Sequence, residues 1–106
     1  MSYRFMRMIV MFDLPTVTSE ERRAYRRFRK NLISNGFFMM QESIYVKMSI
    51  NAAACEGVIK KIEKIKPQSG LVQILQVTER QFEKMQILVG KAQSDVISTD
   101  ERLVIL

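Results

Sequence analysis

The 106-residue sequence predicts an α+β fold in the order β-α-β-β-α-β, with further strand-forming chain at its end. Three observations carry this expectation. Two segments repeat apolar residues at helical spacing behind a capping residue. The segments between them are short, apolar and rich in β-branched and aromatic residues. Pro15, Gly36, Pro67 and Gly70 punctuate the boundaries.

Arg4 to Phe12 reads as the first strand, stopped by Pro15. Alternation places Met6, Met8, Val10 and Phe12 on one face, and Phe5, Arg7, Ile9, Met11 and Asp13 on the other. Thr18 and Glu21 have the spacing of a capping box and open a helix that ends before Gly36. "FFMMQESIYVKMSI" is extended in character, either one long strand or a hairpin breaking near Gln41 to Ser43. Asn51 suits the N-cap of a second helix, on which Cys55, Val58, Ile59 and Ile62 form the apolar stripe. Pro67 and Gly70 stop it, and "GLVQILQVT" gives another strand. "ERQFEKMQILVG" reads as a turn followed by a short strand from Met85 to Val89, and "RLVIL" closes the chain.

This order matches a ferredoxin-like sandwich, two helices on one face of an antiparallel sheet, with one or more extra C-terminal strands. Residues 1–106 are expected to form one domain, with 91–106 as an extension ending in a strand. Helices on one face leave Phe5, Ile9 and Met11 on an open, apolar sheet face. A two-fold homodimer burying sheet against sheet is the simplest cover, and Tyr45 and Lys47 are candidates to line its cleft.

Composition narrows the chemistry. The formal charge is +6, from 17 basic and 11 acidic residues, which suits a polyanionic partner such as nucleic acid. Histidine is absent, which removes Ser-His-Asp and Cys-His pairs and histidine metal sites. One cysteine forms neither an internal disulfide nor a zinc site, so a reducing cytoplasm is the expected location. No apolar run is long enough to span a bilayer, so no membrane partner is expected. Any catalysis must rest on carboxylates, hydroxyls, lysine or arginine, and any metal should be hard and oxygen-liganded, such as magnesium.

The first helix carries the strongest signal. At about 100° per residue, Arg22, Arg23, Arg26, Arg27, Arg29 and Lys30 span an arc of roughly 160°. Ala24, Tyr25, Phe28 and Leu32 lie nearly opposite as the core stripe. No acid interrupts the basic residues to offset their like-charge repulsion. A solvated face explains most basic helices, but an uncompensated, arginine-dominated one is better explained by phosphate contacts.

Asp13, the only acid of the first nineteen residues, supports two readings. Before Leu14 and Pro15 it suits a turn former that accepts from nearby backbone N–H groups. On the strand face assigned to the partner it also suits a metal ligand, since two-fold symmetry would set two such carboxylates across one cleft. Cys55 and most of the eight methionines read as packing, and Lys60, Lys61 and Lys64, beside Glu56 and Glu63, as a solvated surface.

"VMFDLP", the arginine-rich helix, "GFFMMQESIYVKM" and "VQILQVTERQF" together resemble the CRISPR-associated protein two family across nearly the whole chain. The first-strand Asp and the Gln41, Ser43, Ile44, Tyr45 segment are the most telling parts. Length and the closing "ERLVIL" are most similar to members accompanying the Cas-nine effector. The resemblance implies a ferredoxin-like homodimer that acts in spacer acquisition for antiviral defence. It would bridge two dimers of the integrase, CRISPR-associated protein one, and hold a DNA duplex against its basic face. It implies that "GFFMM" and "SIYVKM" form a hairpin, and that the C-terminal strand meets the partner's sheet or the integrase. It further implies a magnesium- or manganese-dependent endonuclease on RNA or DNA, with Asp13 as catalytic metal ligand. Two rivals remain from the residues: a free-standing toxin-type ribonuclease, and a non-catalytic nucleic-acid-binding sheet stacking bases on Phe37 or Phe38.

Overall fold

A computed structural model of the chain describes residues 5–91. Its elements are β1 (Met6–Asp13), α1 (Ser19–Ser34), β2 (Phe38–Gln41), β3 (Ile44–Ser49), α2 (Ala52–Ile65), β4 (Leu71–Thr78) and α3 (Glu79–Glu83). The four strands form one sheet in the order β2-β3-β1-β4, with every neighbouring pair antiparallel. The expected β-α-β-β-α-β order is therefore present, and "FFMMQESIYVKMSI" is a hairpin turning at Glu42 and Ser43. The first strand begins two residues later than expected and includes Asp13.

Local chemistry sets the helix ends. Thr18 Oγ1 accepts from the Glu21 N–H at 3.0 Å, while the Glu21 carboxylate accepts from the Thr18 and Val17 N–H groups, both at 2.9 Å. These bonds satisfy donors that the first turn of α1 leaves without intrahelical partners. Gly36, at φ +94°, lies just beyond the other end, where the chain turns into the hairpin. Asn51 Oδ1 caps α2 by accepting from the Ala54 N–H at 2.8 Å.

The main core lies between the sheet and α1/α2. Met8, Val10 and Phe12 of β1 pack there with Phe28 and Leu32 of α1 and Cys55 and Ile62 of α2. Phe12 is the hub of an aromatic cluster, with its ring centroid 5.2 Å from Phe28 and 5.8 Å from both Tyr25 and Tyr45. Each large side chain buried here contributes about 1.5–3 kcal/mol. The expected alternation along β1 holds: Ile9 and Met11 face the other way, packing with Val46, Ile44, Met40, Val77 and Phe82.

That second face corrects two expectations. Residues 85–89 do not form a strand, and the chain after β4 forms the short helix α3 instead. The reason is a second capping box: Thr78 Oγ1 accepts from the Gln81 N–H at 3.0 Å and Gln81 Oε1 from the Thr78 N–H at 2.9 Å. Nor is the face beneath α3 open. Phe82 lies over it, so Ile9 is buried and Met11 half-buried; of the three apolar residues expected to be uncovered, only Phe5 is exposed, at 40%. Arg7 anchors the helix. Its Nε and Nη2 donate to the two carboxylate oxygens of Glu79 at 2.6 and 3.0 Å, and its guanidinium sits 4.5 Å from the Phe82 ring centroid. Such a buried fork specifies where α3 docks more than it adds net stability. Apolar surface remains beside α3, at Leu71 and Leu75 of β4, Phe38 of β2 and Met48 of β3. The closing "RLVIL" and nearly all of the 91–106 extension lie outside the described residues, as does Arg4. Among the described residues no helix is long and apolar enough to cross a membrane.

Candidate nucleic-acid interface

All six basic residues of α1 are exposed, while Phe28 and Leu32 are buried and Ala24 and Tyr25 half-buried, as the periodicity predicts. The structure divides the six into pairs. Arg22 folds back on the β1–α1 loop, where its Nη1 donates to the carbonyls of Val17 at 2.6 Å and Thr16 at 3.2 Å. Arg29 Nε donates to the Tyr45 hydroxyl at 2.6 Å, leaving its two terminal nitrogens for other acceptors. Arg23 and Arg27 line a groove toward the α2–β4 connection. Arg26 and Lys30 extend from the outer surface with no hydrogen bond or ion pair to any described residue.

Tyr45 requires a correction. It was expected at a partner cleft, but it is fully buried on the α1/α2 side of the sheet. Its register explains this: Tyr45 lies opposite Val10, so it shares the helix-covered face rather than the face of Ile9 and Val46. Its role is to stack on Phe12 and to accept from Arg29, linking the core to the basic helix.

Asp13 ends β1 and is exposed. Among the described residues its carboxylate accepts no hydrogen bond and makes no ion pair. The local backbone bonds expected of a turn former are therefore not made. Its position is set from behind by Gly70, which opens β4 at φ +97°. A Cβ at Gly70 would lie 2.7 Å from Leu14 Cδ2 and 2.8 Å from the Asp13 carbonyl oxygen, so only glycine permits this approach. The described residues contain no cluster of three or more His, Cys, Asp or Glu suited to a metal ion. The described residues of one chain therefore supply no metal cage around Asp13.

Of the two acids in the first turn of α1, Glu20 and Glu21, it is Glu21 that forms the capping box. Its carboxyl is held below the ordinary value, chiefly by the Thr18 backbone N–H it accepts from, so the capping box keeps it anionic. It is thereby committed to the helix N-terminus rather than to neutralising the basic face. On α2, Lys60, Lys61 and Lys64 are exposed and form no ion pair with Glu56 or Glu63 within the described residues. For base stacking, Phe37 is buried and Phe38 is exposed but on edge strand β2, so the central strands carry no exposed aromatic for that use.

Three features escaped sequence reasoning. Arg7 was assigned a face but not a partner, because Glu79 lies 72 residues away. Gly70 was read only as a stop. Lys66 joins the groove beside Arg23 and Arg27, and its signal was available: a residue before proline is extended, and Lys66, at ψ 149°, turns the chain out of α2.

Comparison with known proteins follows the same outline. The family model described as CRISPR associated protein Cas2 matches residues 6–85, from the start of β1 to just past α3. The chain is 50% identical over 101 residues to the CRISPR-associated endoribonuclease Cas2 of Treponema denticola, covering 95% of this chain and 100% of that one. It is 48% identical to the protein of the same name from Ligilactobacillus salivarius, with the same coverage. Against that of Streptococcus mutans serotype c (strain ATCC 700610 / UA159) it is 46% identical, over 95% of this chain and 93% of the other. With β1, its terminal carboxylate and the basic α1 all inside the matched span, the chain belongs to the Cas2 family of CRISPR-associated proteins.

Proposed function

We propose that this chain serves CRISPR adaptation as a ferredoxin-like protomer that holds protospacer duplex DNA by its backbone along α1. Two copies join through their sheets and bridge dimers of the integrase, CRISPR-associated protein one. The observation that carries the reading is the α1 surface: six exposed cations in nine positions, none paired with an acid among the described residues. Arginine there presents planar, permanently charged forks suited to phosphate oxygens. Base edges are not addressed, so the contact positions a duplex without reading its sequence. The exposed Leu71, Leu75, Met48 and Phe38 beside α3 support a second copy meeting this face, now around α3 rather than over Ile9. Fluorescence anisotropy of unrelated duplexes against wild type and Arg26→Ala/Lys30→Ala tests it. Comparable weakening for every duplex supports the reading, and unchanged affinity contradicts it.

A second reading concerns Asp13, favoured by its exposed carboxylate, which has no partner among the described residues. The relatives named endoribonucleases support phosphodiester hydrolysis as the activity, and this strand end is the proposed place for it. Two copies of Asp13 across the two-fold would hold one magnesium or manganese ion by oxygen ligands. When bound, the ion supplies an activated water and charge neutralisation, which a chain without histidine otherwise lacks. The protein's own part is to hold that ion through Asp13, set by Gly70, while arginines of α1 hold the flanking phosphates. Cleavage by the protein alone and integration by the complex, both measured on Asp13→Asn, separate the two activities.

A further inference from the structure

The basic surface does not end at α1. Between α1 and the α2–β4 connection lies a groove of about 640 Å³. Its walls bring Arg23 and Arg27 of α1 together with Lys64 and Lys66 from the end of α2, over a floor that includes Leu14 and Ile65. Those four cations make no ion pair with any described residue. Two acids also border the groove, but Glu21 already accepts from two backbone N–H groups, leaving Glu20 as the uncommitted opposing charge. Lys64, which looks merely solvated in sequence, and Lys66, the C-cap of α2, therefore share one recess with the arginines of another helix. Like charges so gathered repel unless an anion lies between them.

We propose that this groove is a second phosphate-backbone site, continuous with the α1 face, which takes one strand of the nucleic acid held there. The proposal rests on the reading of α1 as a phosphate binder and extends it to Lys64 and Lys66. An apolar floor with a cationic rim suits a sugar–phosphate chain, whose charged oxygens meet the rim while its sugars lie against the floor. Asp13 is not among the residues that line the groove, although its neighbour Leu14 is.

The magnitude follows from counterion release. Each phosphate contact contributes a slope of about 0.9 in log affinity against log salt. Taking 1 M salt as the point where that contribution vanishes, one contact strengthens binding about fivefold at 0.15 M, and two about thirtyfold. The test is a salt titration of a labelled oligonucleotide, in duplex and single-stranded form, against wild type, Lys64→Ala/Lys66→Ala and Lys64→Arg/Lys66→Arg. The expected result on the duplex is that, for each chain in contact, the alanine pair weakens binding about thirtyfold and lowers the slope by about 1.8, while the arginine pair restores both. Loss on the duplex alone, or on both forms, identifies the occupant as a strand of the duplex; loss on the single strand alone identifies a free strand; each supports the site. Affinity and slope unchanged in the alanine pair, while Arg26→Ala/Lys30→Ala still lowers both, overturns the groove and leaves the α1 reading intact. Weakening without a change of slope, or without rescue by arginine, marks a structural defect and also overturns it. Wild-type protein that binds neither form overturns both readings.

Discussion

Phe82→Ala tests the claim that α3, within the same chain, covers the second sheet face. Phe82 is 6% exposed, packs with Ile9 and Val46, and has the Arg7 guanidinium against its ring. Truncating a buried phenylalanine to alanine costs about 3–5 kcal/mol. Helix α3 has five residues and can settle partly into the space, so the lower end, about 3 kcal/mol, applies. Loss of the cation–π contact adds about 0.5–1 kcal/mol. For a domain of this size each kcal/mol moves the midpoint by roughly 4–8 °C, which predicts a Tm lower by roughly 14–32 °C. Phe82→Leu, which keeps much of the apolar volume, should lose less than about 1.5 kcal/mol. Urea unfolding followed by circular dichroism, with thermal melts at two protein concentrations, measures both variants. A loss for Phe82→Ala below about 1 kcal/mol would refute the reasoning, because Ile9 and Val46 would then be covered by something other than α3.

Gly70→Ala should destabilise by about 1–3 kcal/mol through the left-handed backbone alone, with the overlap on Leu14 and Asp13 added, and a thermal melt reads it. Asp13→Asn should leave the melting midpoint almost unchanged, within about 0.5 kcal/mol in stability, because the carboxylate has no partner among the described residues; cleavage by the protein alone should be lost and integration kept. Glu21 has its folded pKa lowered, so its contribution is present at neutral pH and is lost as pH falls through the carboxylate range, below about pH 5. Melts along an acid series should show that loss in wild type and a flatter profile in Glu21→Gln.

The core was legible because its signals are local. Two capping boxes or caps, at Thr18 and Asn51, and the period of β1 place α1, α2 and the central strand. The capping box at Thr78 and Gln81 is equally local, yet the apolar "ILV" after it suggests a strand. Whether such a run pairs depends on a neighbouring strand, which sequence spacing does not supply. Tyr45 was misplaced because the hairpin was left open: without a register to β1, which face it shares with Val10 is undetermined. The exposed face of α1 was read correctly from periodicity, but the division of labour on it was not. Arg22 bonded to its own loop, Arg29 to Tyr45, and Arg23 and Arg27 to a groove shared with α2 all depend on tertiary contacts. Asp13's role stayed open in sequence for the same reason, since only coordinates reveal that its backbone neighbours do not donate to it.

The central claim is that the outer surface of α1 binds phosphates, and the salt dependence of duplex affinity measures it most directly. Arg26 and Lys30 are the residues to remove, since neither bonds to any described residue and neither reaches the core stripe. For Arg26→Ala/Lys30→Ala, each chain in contact with the duplex should lower the log–log slope by about 1.8 and the affinity at 0.15 M salt by about thirtyfold, on duplexes of unrelated sequence. Slope and affinity equal to wild type, in a variant with an unchanged melting midpoint, would contradict the account and return α1 to a solvated face.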